Sequence, residues 1–223
     1  MTGPAHARTG SNRSSEAEPR RLTLRDGRVV DVRPLERSDR EGLAAAVERL
    51  SDQTRYLRFA TAKPRLTKRE LDFLTDVDHH RHEAIVAIDP TTGRGVALVR
   101  YIQVSDQPDV AEIAATVTDD WQGHGLGTAL LARLAARARA NGYSAFRASV
   151  LASNQRSIAM LLTAGFAPLA SRGFLREYEL ALAQPRSDVH VARLAPVRGK
   201  RALEKAGRDV VLAPSFAAHL TYG

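Results

Sequence analysis

The stretch "VTDDWQGHGLGTALL", from Val117 to Leu131, places Gly123, Gly125 and Gly127 at alternate positions directly before a strongly helical run. A glycine inside a helix costs about 1 kcal/mol relative to alanine. Upstream, "DVAEIAATV" (109–117) has the alternation of a strand. A strand, a glycine-rich turn and a helix leave free backbone N–H groups at the helix N-terminus, where the helix dipole favours an anion. Glycine lets the backbone turn sharply and lets a phosphate approach with no Cβ in the way. The loop reads as a phosphate cradle. A tight turn that only packs helix on strand would ask for one or two glycines, hardly three.

Two familiar phosphate loops do not fit. A nucleotide P-loop needs a lysine after its last glycine, and Thr128 stands there. A dinucleotide fingerprint needs Gly-x-Gly-x-x-Gly near the first strand of a βαβ unit, with an acid about 20 residues on. The spacing here is Gly-x-Gly-x-Gly, in mid-chain, and no suitable acid follows the next helix.

Around this loop the chain alternates strands and helices. "LTLRDGRVVDVRPL" (22–35) predicts a hairpin with Asp26-Gly27 at its turn. Ser38 and Glu41 form the pattern of a capping box before Leu43, Ala46, Val47 and Leu50, and Thr67 with Glu70 forms another before Leu71 and Leu74. Strand-like runs follow at 83–88, 95–104 and 109–117. The helix after the glycines is expected to stop at Asn141-Gly142. Then come a strand (145–151), a helix (about 154–164) closed by Gly165, and a final strand or hairpin (166–182). The order predicts an α/β (mixed α+β) fold, with a central mixed sheet and helices on both faces.

The ends differ from the middle. Residues 1–20 hold almost no large apolar side chain and cannot offset the entropy of ordering. After about Gln184 the pattern blurs into a basic segment. The expected organisation is a flexible tail at 1–20, one folded domain at 21–184 and a basic, largely flexible extension at 185–223. The N-terminus lacks an apolar signal core, and no run approaches the ~18 apolar residues of a membrane span. The chain has no cysteine, which excludes disulfides, thiolate metal sites and a cysteine nucleophile and suits a reducing cytoplasm. Its net charge of +8 fits either an anionic ligand or a solvated basic surface, and an acidic docking partner would suit the C-terminal extension.

At "QGHGLG" (122–127) the chain resembles the coenzyme A pyrophosphate loop of the GCN5-related N-acetyltransferases. "NQRSIAMLLTAGF" (154–166) resembles that family's second motif, an asparagine opening a helix that closes at Gly-Phe. The resemblance covers roughly 22–182. "SDQTRYLRF" (51–59) also looks like the bacterial Pat-type protein lysine acetyltransferases. The resemblance implies acetyl-CoA as co-substrate and no metal, with the diphosphate on the amides of Gly123, His124, Gly125, Leu126, Gly127 and Thr128. It implies a pantetheine arm that pairs like an extra strand with the backbone near Val117, a form of β-augmentation. Asn154 would face that arm, cap its helix, or do both. Gln122 either touches the ligand or braces the loop, and His124 projects from the loop toward ligand or solvent.

The implied chemistry is acetyl transfer by direct attack of an amine, on a protein lysine or a small molecule; a catalytically silent coenzyme-binding module is the alternative. At pH 7 only about one lysine amine in 2500 is neutral, an access cost of ~4.6 kcal/mol. A base is therefore useful. Alternation puts Val110, Glu112, Ala114 and Thr116 on one strand face, and Glu112 is the one charge inside that apolar run. Partial desolvation would raise its pKa toward neutrality, as a general base requires; the contrary reading is a solvent-facing glutamate. Where many members of the family carry a tyrosine to protonate the leaving thiolate, this chain has Leu161.

Other constellations are weaker. "DVDHHRH" (76–82) offers adjacent histidines, but no fourth metal ligand is placed by spacing. Arg133 and Arg137 read as a solvated helix face. Arg55 and Arg58 flanking Tyr56 read as exposed arginines beside a packed tyrosine. With aromatics at 5% there is no stacking array, and nucleic acid is not an expected partner.

Overall fold

A computed structural model describes residues 20–61 and 65–182, together with the backbone of 211–212. The remaining N-terminal residues and most of the C-terminal extension lie outside the described residues. The chain opens with an antiparallel hairpin of β1 (Arg20–Thr23) and β2 (Val29–Pro34). Its turn needs a left-handed residue, which Gly27 supplies at φ 86°. Three helices follow: α1 (Arg40–Glu48), α2 (Asp52–Phe59) and α3 (Lys68–Thr75). Then come β3 (His82–Ile88), β4 (Gly95–Val104) and β5 (Gln107–Val117). After the glycine loop run α4 (Leu126–Ala140), β6 (Ala145–Leu151), α5 (Gln155–Thr163), β7 (Ala167–Arg172) and β8 (Leu175–Ala181).

The strands form one mixed sheet in the order β1-β2-β3-β4-β5-β6-β8-β7. Neighbours are antiparallel except β5 and β6, which run parallel because α4 carries the chain back between them. Along one face Ile85, Val99, Tyr101 and Ile113 pack with Leu126, Leu130 and Leu134 of α4. Burying each of those leucines contributes about 1.5–3 kcal/mol before strain and entropy are counted. On the other face Ala84 and Val86 meet Leu35, while α1 packs on β4 and on α3. The helices thus cover both faces, as the alternating order predicts.

Boundaries agree closely with the turn chemistry. Asn141 caps α4 and Gly142 takes φ 87°; Gly165 ends the α5 region at φ 93°. One start signal is misplaced. Thr67 and Glu70 do form a capping box at α3, but Ser38 and Glu41 form none. The box forms two residues earlier, between Glu36 and Asp39, because Arg33 on β2 binds the Asp39 carboxylate through both Nη atoms at 2.7 and 2.6 Å. That bidentate, partly buried contact outweighs a solvent-exposed serine cap.

No helix among the described residues is long and apolar enough to cross a membrane.

Candidate active site

β5 and β6 pair only at Val110, Ala111 and Glu112, opposite Ala145, Phe146 and Arg147. Beyond Glu112 the parallel ladder stops, so β5 has an edge without β6 over its last residues. A two-residue strand, β9 (Val211–Leu212), takes part of that edge, pairing antiparallel with Ala115 and Thr116. Where β5 ends, the chain makes one 3-10 turn (Asp119–Trp121) and enters the glycine loop.

The loop is built as the sequence requires. Gly123 and Gly125 both hold left-handed φ, 78° and 82°, and Gly125 is the N-cap of α4. Gly123, Gly125 and Thr128 are exposed, and a Cβ added at Gly125 would meet no protein atom within 4 Å. Open space therefore lies over backbone N–H groups at the start of a 15-residue helix, the arrangement that favours an anion. Gly127 differs from its two neighbours: it sits buried in the first turn of α4. Leu126 is buried as well and anchors that turn in the core.

The surrounding side chains hold the loop in place. Gln122, 5% exposed, donates from Nε2 to the Val117 carbonyl at 2.9 Å, which ties the loop to the end of β5. His124 is not simply solvated: its Nδ1 lies 2.7 Å from an Asp26 carboxylate oxygen in the β1–β2 turn. The Arg28 backbone N–H holds the Asp26 carboxyl below its ordinary range, so it stays ionised beside the imidazole. Arg28 itself donates to the Asp120 carbonyl at 2.6 Å and lies over the Trp121 ring. Asp119 accepts from the Ser51 N–H and from the Ser51 and Thr54 hydroxyls, fixing the start of α2 against the end of β5. Burial alone would raise the Asp119 carboxyl; those hydrogen bonds outweigh it and hold the group low.

Glu112 sits half-buried on the face of β5 opposite α4, and the Ser149 hydroxyl of β6 donates to its Oε1 at 3.1 Å. It is at the point where the two parallel strands separate. Asn154, 3% exposed, caps α5 by accepting from the Ser157 N–H at 3.1 Å. Leu161 is fully buried in the α4-side core. Val117, 1% exposed, is also in that core, so only its backbone is available to a ligand.

Two sequence readings change here. Tyr56 is 49% exposed while Arg58 is 4% exposed, the reverse of a packed tyrosine between solvated arginines. Arg58 faces inward and donates from Nε to the Thr116 hydroxyl at 2.9 Å; Arg55 instead closes an ion pair with Asp52. Arg137 is not merely a solvated residue: it reaches the fully buried Glu83 carboxylate at 2.8 Å. The histidine loop has structural occupations. Asp78 accepts the N–H groups of His80, Arg81 and His82, and the hydroxyls of Tyr101 and Tyr143 both donate to the His80 carbonyl. Burial, with the Arg100 charge next, pushes His82 down to about 3, so it is a neutral partner for the Arg100 guanidinium 3.0 Å away. Among the described residues no cluster of three or more such side chains is arranged to hold a metal ion.

Substitution at Gly125 separates cradle from turn. Gly125→Val places a β-branched residue at φ 82°, a strain of about 1–2 kcal/mol, and fills the open space above the loop. The expected result is a folded protein whose affinity for coenzyme A falls at least tenfold, ~1.4 kcal/mol, by calorimetry. Unchanged affinity would leave the loop as a packing turn.

Comparison with known proteins places this arrangement. Residues 45–166 match the model of the acetyltransferase (GNAT) family. An acetyltransferase of Pseudomonas aeruginosa is 34% identical over 146 residues, which are 65% of this chain and 78% of that protein. The acetyltransferase Pat of Mycolicibacterium smegmatis is 31% identical over 133 residues, 60% of this chain but 40% of that longer protein. In solved structures, the GNAT domain of S. lividans PAT aligns with a TM-score of 0.70 at 32% identity, covering 73% of this chain and 96% of that domain. The chain belongs to the GNAT family of acetyltransferases.

Proposed function

We propose that this acetyltransferase moves the acetyl group of acetyl-CoA to a protein lysine, by direct attack of the amine with Glu112 as general base. The observation that carries the reading is the position of Glu112. It is half-buried at the separation of β5 and β6, on the strand whose free edge leads to the glycine loop. The diphosphate would rest on the amides from Gly123 to Thr128. The pantetheine arm would extend along β5 from Val117 toward Ala115 and deliver the thioester near Glu112. Gln122 acts by bracing the loop, through its bond to the Val117 carbonyl. Asn154 holds the start of α5 beside this path. The lysine acceptor is supported by the likeness to proteins named Pat and by the stretch 51–59, which α2 and Asp119 fix against the end of β5. A small amine is the other acceptor class.

The test is incubation of cell proteins with the enzyme and isotopically labelled acetyl-CoA, followed by mass spectrometry. Label on lysine side chains supports the reading; label on small amines alone overturns it.

In this reading β9 and the pantetheine arm need the same two residues of β5, Ala115 and Thr116. A chain limited to residues 21–184 is then expected to fold, to bind acetyl-CoA at least as tightly as the full chain and to acetylate a small peptide. Insolubility, or a much lower melting temperature, would make the C-terminal extension part of the domain.

A further inference from the structure

Between the sheet and the three helices α1, α2 and α3 lies a cavity of about 150 Å³ whose walls are mainly apolar, among them Leu35, Leu43, Val47 and Val86. Two guanidiniums enter it. Arg58 reaches in from α2, and Arg100 projects from β4 on the Glu112 face of the sheet. Both are nearly sealed from solvent, at 4% and 2% exposure. Arg58 spends its Nε on the Thr116 hydroxyl, and Arg100 spends Nη1 on the neutral His82 ring. That leaves Arg58 Nη1, Arg100 Nε and Arg100 Nη2 buried with no acceptor. The other ions of the cavity, Arg33 and Asp39, neutralise each other.

Folding alone gives no reason for this. Buried N–H donors are ordinarily satisfied. Burial lowers Arg58 to about 10, and burial with the repulsion of Arg58 lowers Arg100 to about 9. Arg58 lies over the Phe59 ring and is drawn by the Glu112 carboxylate, but the two arginines repel each other and their open N–H donors in an apolar chamber cost stability. Such a cost is the mark of a site whose remaining partner arrives with a ligand. A carboxylate suits three unsatisfied N–H donors on two arginines that line one small chamber. The space exceeds that of one water, about 30 Å³, and admits a few methylene groups beside the carboxylate.

The position relates the chamber to the reaction. Arg100 is opposite Ala114 on β5, and Arg58 is bonded to Thr116. Glu112, Ala114 and Thr116 share one face, so the pair lies within roughly 13 Å of the Glu112 position along the strand. We propose that Arg58 and Arg100 form a subsite for a carboxylate on a short aliphatic chain, carried into the cavity by one of the two reactants. The site is a carboxylate subsite whether that group ends the acyl chain or belongs to the acceptor amine. The assignment to a reactant rests on the proposed role of the Glu112 face; carboxylate binding itself does not.

The first test involves no turnover. Butyrate and succinate are titrated calorimetrically into the full-length protein, with inorganic phosphate and butanol as comparators. Both carboxylates are expected to bind and to raise the melting temperature. In Arg58→Met and Arg100→Met, which keep volume but remove charge, carboxylate affinity should fall about tenfold or more, the weight of a hydrogen bond to a charged group. The ligand-free variants should melt no lower than the parent, because an apolar side chain replaces a buried guanidinium with unsatisfied N–H donors. Absence of carboxylate binding in the parent, tighter binding of phosphate, or variants that melt lower yet bind as well, would overturn the proposal.

The second test identifies the source. The parent's kcat/KM is compared for succinyl-CoA against acetyl-CoA, and for amines with and without a carboxylate. The ratio of carboxylated to neutral reactant should exceed one in one arm and fall about tenfold in both variants. A ratio that neither variant moves in either arm would overturn the assignment to a reactant.

Discussion

Replacing Glu112 by glutamine is expected to slow acetyl transfer at pH 7 by about 10²- to 10⁴-fold, the usual weight of a general base. Glutamine keeps the size of the side chain and an oxygen to accept from the Ser149 hydroxyl, so the fold and the β5–β6 separation should survive. What disappears is basicity. Affinity for acetyl-CoA should barely change, because the glycine loop proposed to hold the diphosphate is on the far side of Val117 from Glu112. The pH profile is the discriminating measurement. A lysine amine near pKa 10.4 deprotonates without help as pH rises, so the residual rate of Glu112→Gln should climb steeply toward that value. The parent should level off once base and amine are in their reactive states. Near-normal turnover of the variant at pH 7 would remove Glu112 as the base.

The parts of this molecule that were legible in the sequence are those set by local chemistry. Gly123 and Gly125 announce left-handed backbone, and the structure gives them φ of 78° and 82°. Asp26-Gly27, Asn141-Gly142 and Gly165 mark their turns for the same reason. Period-2 alternation places Glu112 on the face shared with Thr116, away from α4. What the sequence hides is long-range pairing between charges. Arg58 and Tyr56 sit on one short helix, and only the sheet beneath α2 decides which turns inward; Thr116, 58 residues away, selects the arginine. Arg137 looks like any exposed helix residue until β3 brings Glu83 beneath it, 54 positions upstream. Arg100 is marked in the sequence as well. It is a charge in the middle of "GVALVRYIQV", as anomalous there as Glu112 is in its own strand. The Ser38–Glu41 box fails for the same kind of reason, since Arg33 on β2 claims Asp39 and moves the cap.

The Glu83 network shows how much such pairing is worth. Glu83 is fully buried at the start of β3. One carboxylate oxygen meets His79 Nδ1 and the Ala84 N–H, each at 2.9 Å; the other accepts from Arg137 Nε at 2.9 Å. Breaking a buried ion pair by removing one partner typically costs 3–5 kcal/mol. Here the two side-chain partners can turn to water, since the Arg137 and His79 side chains are 50% and 38% exposed. The buried Ala84 N–H and the cavity left by the side chain cannot be relieved that way. The expected loss for Glu83→Ala is therefore about 2–3 kcal/mol, a fall in melting temperature of roughly 5–10 °C for a domain of this size. Glu83→Gln keeps the volume and an oxygen for the Ala84 N–H and should lose less than half as much. His79 and Asn141 are tied to the same corner, with Asn141 Nδ2 donating to the His79 carbonyl at 2.9 Å. Loss of Glu83 should consequently raise amide hydrogen exchange in residues 78–82 more than in the glycine loop. Acetyl-CoA affinity measured below the melting transition should stay near that of the parent. A Glu83→Ala protein that melts within a degree of the parent would mean that Arg137 and His79 contribute nothing net, and that the carboxylate is held by the backbone alone.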